Sequence, residues 1–65
     1  MDKKAIGKRL VKLRAKRSQA EVCKVVGITQ QALSAYETGL RMPRDEIKIK
    51  LANYYNRTVQ YIFFS

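Results

Sequence analysis

The stretch SQAEVCKVVGITQQALSAYETG, residues 18–39, decides the fold of this chain. Ser18 followed three residues later by Glu21 is a capping box, in which the serine oxygen accepts a hydrogen bond from a backbone N–H group at the start of a helix. This signal predicts a helix from Gln19 to about Val26. Gly27 ends it, because glycine readily adopts the left-handed conformation that closes a helix.

A second short helix follows almost at once. Thr29 caps it, and it runs from about Gln30 to Thr38 before Gly39 stops it. Two helices joined so tightly need a small residue early in the first helix and a glycine at the turn. Cys23 has the right size and is expected to be a small buried hydrophobe. Aliphatic and aromatic residues then hold the second helix down: Val22, Ile28, Leu33 and Tyr36.

Helical spacing recurs on both sides of this pair. The basic N-terminal segment KKAIGKRLVKLRAKR carries three apolar residues on one helical face: Ile6, Leu10 and Leu13. After a loop, a fourth helix is predicted from about Arg44 to Tyr55, and a last one from Val59 to Phe64. No segment alternates long enough to form a sheet. We therefore predict an all-α fold, a compact bundle of five short helices in a single domain over residues 1–65.

Positive charge is abundant and unevenly distributed. Fourteen Lys and Arg residues against five Asp and Glu residues give a net charge of +9. Residues 1–17 hold eight basic residues and one acid (net +7), residues 18–40 hold one and two (net −1), and residues 41–65 hold five and two (net +3). So large an excess favours a polyanionic partner. The central pair of helices is nevertheless almost uncharged.

Several classes of function are disfavoured by composition. With one cysteine and no histidine, the chain can form neither an internal disulfide nor a Cys/His metal site. Four of the five acids fall at caps, in first turns or in a structural pair, and Asp2 stands as an isolated terminal acid. We expect no enzymatic activity, no metal, no cofactor and no small-molecule ligand. No apolar run approaches the length of a membrane span, so a reducing cytoplasm is expected.

Together, these motifs resemble the phage-repressor and Cro-like (XRE-type) helix-turn-helix family. The similarity covers RLVKLR, SQAEVCKVVGITQQALSAYETG, RMPRDEIKIKLANYY and TVQYIFF, and its most specific pieces are SQAE, GITQQ and YETG followed by RMP. It implies a lambda-repressor-like bundle in which helices 2 and 3 form the helix-turn-helix. It also implies a bacterial or phage-encoded transcriptional regulator, a repressor, that binds double-stranded DNA as a homodimer.

The resemblance assigns base reading in the major groove to the third helix. Its reading residues would be Gln30, Gln31, Ser34 and Ala35. A glutamine amide can pair bidentately with adenine N6 and N7, whereas alanine offers only apolar contact, most usefully to a thymine methyl group. The family often carries a long polar side chain where Ala35 stands, which implies fewer direct contacts here.

The resemblance assigns contacts with the DNA backbone to residues around that helix. They are Gln19, Thr29, Thr38, Arg41 and Arg44. Arg14 and Glu37 match a family pair that bridges the first helix to the end of the third. The sequence departs from the family between helices 1 and 2, where AKRSQAE is about two residues shorter than the usual glycine-containing turn.

Some alternatives stay open at the level of sequence. A DNA-binding antitoxin or a restriction-control protein would share this fold. From a different class, the first helix could be a basic amphipathic segment that binds a membrane surface or a protein groove. Tyr61 and Phe64 could form a dimer interface, or could pack locally against Tyr54 and Tyr55.

Overall fold

Five α-helices follow one another along residues 2–64, the part of the chain that the computed structural model describes. They are α1 (Lys3–Arg14), α2 (Gln19–Val26), α3 (Gln30–Glu37), α4 (Asp45–Tyr55) and α5 (Val59–Phe63). No strand occurs within these described residues. The predicted all-α bundle of five helices is confirmed.

Hydroxyl side chains begin three of the helices, as the capping signals predict. Ser18, Thr29 and Thr58 each accept a hydrogen bond from the backbone N–H three residues later, at 3.1, 3.0 and 3.0 Å. Residues in the left-handed conformation end two helices: Gly27 follows α2 (φ 83°) and Asn56 follows α4 (φ 57°). Local chemistry therefore sets these boundaries.

The start of α1 differs from expectation. Asp2, expected to be an isolated acid, is the N-cap of α1, and its carboxylate accepts a hydrogen bond from the Lys4 backbone N–H at 2.9 Å. The prediction was wrong because a capping aspartate one residue from the chain start was read as terminal.

A tight turn follows the end of α1. The helix stops at Arg14, one residue after Leu13, the last apolar position of its pattern. Ala15 takes φ 54° and ψ −119°, and the Arg17 N–H donates to the Arg14 carbonyl at 3.0 Å. These angles and this bond make a tight turn whose second residue has positive φ. The turn explains how so short a connection joins α1 to α2.

Three other helix boundaries differ from the predictions by one residue. Thr38, Arg44 and Phe64 are cap residues that flank α3, α4 and α5, rather than members of those helices. Such differences are within the uncertainty of any helix end.

All five helices contribute to one apolar core. Its fully buried side chains are Leu10, Val22, Leu33, Leu51, Ile62 and Phe63. Cys23 is buried as expected, and burial raises the pKa of its thiol. Tyr55 is also buried, but its hydroxyl has no hydrogen-bond partner among residues 2–64.

The helix α1 crosses the end of α3 at very short range. Gly7 is buried there, and a Cβ atom added to it would lie 2.8 Å from the Tyr36 carbonyl oxygen and nearer still to that of Glu37. Only glycine allows the two backbones to come this close. On the same helix, the Arg9 guanidinium donates to the carbonyls of Tyr61 and Ile62, which ties α1 to α5.

Candidate nucleic-acid interface

Helix α3 turns one side to the core and the other to solvent. Leu33 and Tyr36 are buried, so Gln30 and Gln31, about 100° apart on the helix, face outward. Neither glutamine amide makes a hydrogen bond to another described residue. Each therefore keeps its full set of donors and acceptors for an external ligand.

A shallow depression of about 590 Å³ runs along the outer side of α3. Its lining combines four predicted contact residues of α3 and its C-cap with two residues of the following loop: Gln31, Ser34, Ala35, Thr38, Leu40 and Arg41. Of the four residues predicted to read bases, three line this depression. Gln30 lies outside it, at the exposed first position of α3.

A second depression, of about 350 Å³, lies between the start of α3 and the start of α4. It brings together Thr29, Arg41 and Arg44, three of the five residues predicted to contact the DNA backbone. Neither arginine pairs with an acid among the described residues. Glu46 also borders the depression and is the one lining carboxylate, so the cations outnumber it two to one.

The two threonines that flank α3 are not equivalent. The Thr29 hydroxyl accepts from the Ala32 N–H, which leaves its own hydrogen available for an acceptor such as a phosphate oxygen. The Thr38 hydroxyl instead donates to the Ser34 carbonyl at 2.9 Å. Thr38 would have to rotate before it could donate to a phosphate, whereas Thr29 would not.

One carboxylate connects three helices beneath this surface. Glu37 accepts from the Arg14 guanidinium at 2.8 and 3.1 Å and from the Gln19 amide at 2.8 Å. The hydrogen bond with Glu37 raises the pKa of Arg14. Glu37 is buried, so this bidentate ion pair is shielded from water. The Gln19 amide keeps one N–H donor beyond the bond to Glu37, at the N-terminus of α2, where an anion is favoured.

Leu40 is the member of this surface that sequence reasoning missed. The sequence predicted only a loop from Leu40 to Pro43, and an apolar residue in a loop carries no specific signal. The structure places Leu40 in the depression on α3, with 74% of its surface exposed.

The residues considered for a dimer interface lie elsewhere, on α5. Tyr61 and Phe64 are each about half exposed. Phe64 lies near Lys48, with Nζ 5.0 Å from the ring centroid, and Tyr61 lies near the Arg57 guanidinium. Phe64 also borders an apolar groove of about 440 Å³ with Ile49.

No group of His, Cys, Asp and Glu residues within residues 2–64 could hold a metal ion. No helix in that part of the chain is both long enough and apolar enough to cross a bilayer.

Comparison with known families identifies the class of protein. A family model described as helix-turn-helix matches residues 8–62, which is most of the chain. The chain belongs to this family, of the Cro/C1 type, and is a DNA-binding helix-turn-helix regulator. The family is typically non-enzymatic. No curated protein and no solved structure matched the chain.

Proposed function

We propose that this protein is a sequence-specific transcriptional repressor that reads the major groove of double-stranded DNA with α3. One observation carries the proposal: two neutral amides that have no partner among the described residues begin α3, and arginines that likewise pair with no described acid flank it in the neighbouring depression. Phosphate contacts position a protein on DNA but carry no sequence information, while amides can distinguish base edges. The division of charge along the chain suits that division of roles.

The positions of the side chains suggest how the contacts divide. Gln30 and Gln31 present exposed amides at the N-terminal end of the reading helix, where recognition helices contact base edges. Arg41, Arg44 and the Thr29 hydroxyl hold the adjacent phosphates. Gln19 contacts a phosphate at the start of α2 through the N–H that Glu37 does not use.

Selection of bound duplexes from a random pool tests this function. We expect one half-site sequence to be enriched, and Gln30→Ala to lose about 1–3 kcal/mol of discrimination at one base pair. Asn53→Ala removes an exposed amide from α4 and serves as the control, with no change in sequence preference. Equal binding of every duplex would exclude sequence-specific recognition.

Repression itself can be tested with a reporter. A promoter that overlaps the enriched sequence should be silenced by the protein and released by Gln30→Ala. Activation instead of silencing would overturn the repressor assignment. An antitoxin or a restriction-control protein would bind DNA in the same way, and a stable complex with a toxin encoded beside it would identify the former.

We also propose that two copies bind a near-palindromic operator, with half-sites about 34–36 Å apart. The exposed side chains of Tyr61 and Phe64, and the apolar groove that Phe64 borders, support an interface at this end of the protein. Phe64→Ala should lower the sedimenting mass, whereas Val25→Ala, which shortens an exposed apolar side chain of α2, should not. An unchanged mass for Phe64→Ala would remove that residue from the interface.

Binding to lipid is a weaker candidate. The apolar face of α1 is used inside the protein, because Ile6 and Leu10 are buried in the core. Vesicles of anionic lipid should therefore bind the protein less tightly than the enriched duplex does. Tight vesicle binding without preference among duplexes would favour the membrane alternative.

A further inference from the structure

Leu40 is held against the last turn of α3 by backbone hydrogen bonds. The Leu40 N–H donates to the Ala35 carbonyl at 2.9 Å, and the Gly39 N–H donates to the Tyr36 carbonyl at 3.3 Å. This pair of bonds, with Gly39 at φ 80°, is the Schellman arrangement that ends many helices. The Arg41 N–H also donates to the Ala35 carbonyl, so the loop folds back along the helix.

The position of Leu40 has a structural explanation, but its exposure does not. In a Schellman motif, the residue after the glycine is often apolar and packs against a side chain in the last turn of the helix. In this protein those two residues are Leu40 and Ala35. Such a contact would bury the leucine, yet Leu40 remains 74% exposed, more than any other large apolar side chain among the described residues. Helix capping therefore uses only a small part of its apolar surface.

The surroundings of Leu40 match the edge of one particular base. Ala35 and Leu40 provide the apolar part of the depression on α3, while Gln31 and Ser34 provide hydrogen-bonding groups beside it. In the major groove, thymine alone among the four bases presents a methyl group, next to the O4 acceptor. An apolar patch beside an amide donor is complementary to that pair of features.

We propose that Leu40 and Ala35 together form an apolar contact for the C5 methyl group of a thymine in the operator. The inference rests on the proposed function and adds a determinant of specificity outside α3. Leu40 also adds apolar contact area beside Ala35, since the methyl group of alanine by itself covers little surface. Arg41, directly after Leu40 and on the rim of the same depression, holds the adjacent phosphate.

Deoxyuridine tests the contact without changing base pairing, because it differs from thymidine only by the missing methyl group. Each thymine of the enriched duplex is replaced in turn, and the affinities of the wild-type protein and of Leu40→Ala are measured. The wild-type protein should lose about fourfold in affinity at one position per half-site. Burial of one carbon contributes about 0.8 kcal/mol, and a tenfold change in affinity corresponds to about 1.4 kcal/mol. Leu40→Ala should bind the thymine duplex more weakly than the wild-type protein does, and it should lose less affinity than the wild-type protein when deoxyuridine is placed at that position, because only Ala35 still contacts the methyl group.

Val25→Ala is the matched control, because Val25 is 66% exposed on α2 and does not line the depression. It should keep the full dependence on the methyl group. If the wild-type protein tolerates deoxyuridine everywhere, or if Leu40→Ala keeps the same dependence, the inference is wrong while sequence-specific binding stands. If no duplex is enriched at all, the proposed function fails and the inference fails with it.

Discussion

At the scale of single residues, Ala15 has a strained backbone conformation that the fold requires. Its φ of 54° and ψ of −119° lie where glycine is strongly favoured, because a Cβ atom crowds the backbone there. The short connection between α1 and α2 depends on this turn. The chain therefore carries local strain in this turn.

Ala15→Gly should stabilise the protein by about 1 kcal/mol. Relief of about 1–2 kcal/mol of strain outweighs the greater freedom that glycine gives the unfolded chain, about 0.5–1 kcal/mol. Chemical denaturation of the two proteins measures the difference. Ala5→Gly, in the regular part of α1, is the control and should destabilise. A loss of stability in Ala15→Gly would show that this turn is not strained.

Tyr55 is a second residue at which the fold accepts a cost. Its hydroxyl is buried and finds no partner in the described part of the chain, and burial, assisted by the nearby Glu37 carboxylate, raises the pKa of Tyr55 to about 12. A buried hydroxyl that makes no hydrogen bond contributes nothing to offset its lost hydration.

Tyr55→Phe should be at least as stable as the wild-type protein at pH 7 and increasingly more stable above pH 10. The unfolded phenol ionises near pH 10 and the folded one near pH 12, so the wild-type protein loses stability across that window. The expected divergence is about 1.4 kcal/mol per pH unit. Denaturation curves at pH 7, 10 and 11 measure it. Parallel curves for the two proteins would contradict the raised pKa.

At the scale of elements, the crossing of α1 and α3 fixes the orientation of α3 in the bundle. Gly7 lets α1 approach the carbonyls at the end of α3, and Arg14, two turns later on α1, holds the Glu37 carboxylate. A shift of either helix would disturb both contacts.

Gly7→Ala should destabilise the protein by about 1–3 kcal/mol, although alanine is the better helix former. The added Cβ would meet backbone carbonyl oxygens, which cannot rotate away as a flexible side chain would. Lys8→Ala, at the exposed neighbouring position, is the control and should be nearly neutral. Thermal unfolding of both variants decides, and a stable Gly7→Ala protein would mean that the helices separate at little cost.

Whether a structural feature could be predicted from the sequence depends on how far apart the interacting residues lie along the chain. The starts of α2, α3 and α5 could be predicted because a hydroxyl and the N–H that it caps are three residues apart. The role of Gly7 could not, since its neighbours Tyr36 and Glu37 are about thirty residues away along the chain. The turn at Ala15 gave no signal because alanine favours helix, and only the closure of the bundle requires the turn.

The candidate interface divides in the same way. Periodicity predicted that Leu33 and Tyr36 face inward, and their burial leaves Gln30 and Gln31 on the outer side of α3. The bond from Gln19 to Glu37 and the return of Leu40 to α3 depend on tertiary geometry. No local pattern in the sequence could indicate them.

At the scale of the whole molecule, the excess of positive charge sets the strength of DNA binding and its dependence on salt. Affinity from phosphate contacts falls with ionic strength because each contact releases condensed counterions. The net charge of +9 acts at long range, while Arg41 and Arg44 act at the surface beside α3.

Arg41→Ala should weaken binding to all duplexes by nearly the same factor and reduce the slope of log affinity against log salt by about one unit. Titrations at several salt concentrations, with the enriched duplex and a scrambled one, measure both effects. Lys50→Ala removes the same charge from a groove between α2 and α4, so its slope should change less. Equal slopes for the two variants would show that Arg41 acts through the general field and makes no phosphate contact.

The contacts of the Glu37 carboxylate should affect the entropy and heat-capacity changes of DNA binding, which calorimetry measures. Because Glu37 already fastens the start of α2 and the end of α3 to α1, the DNA-facing surface is preorganised before any duplex arrives. The backbone should then lose little conformational entropy on association, and the heat-capacity change should reflect the apolar and polar areas that the two surfaces bury, without a contribution from coupled folding. The helices α1, α2 and α3 should therefore keep their relative positions when DNA binds, and the adjustments on the protein side should be those of surface side chains such as Thr38.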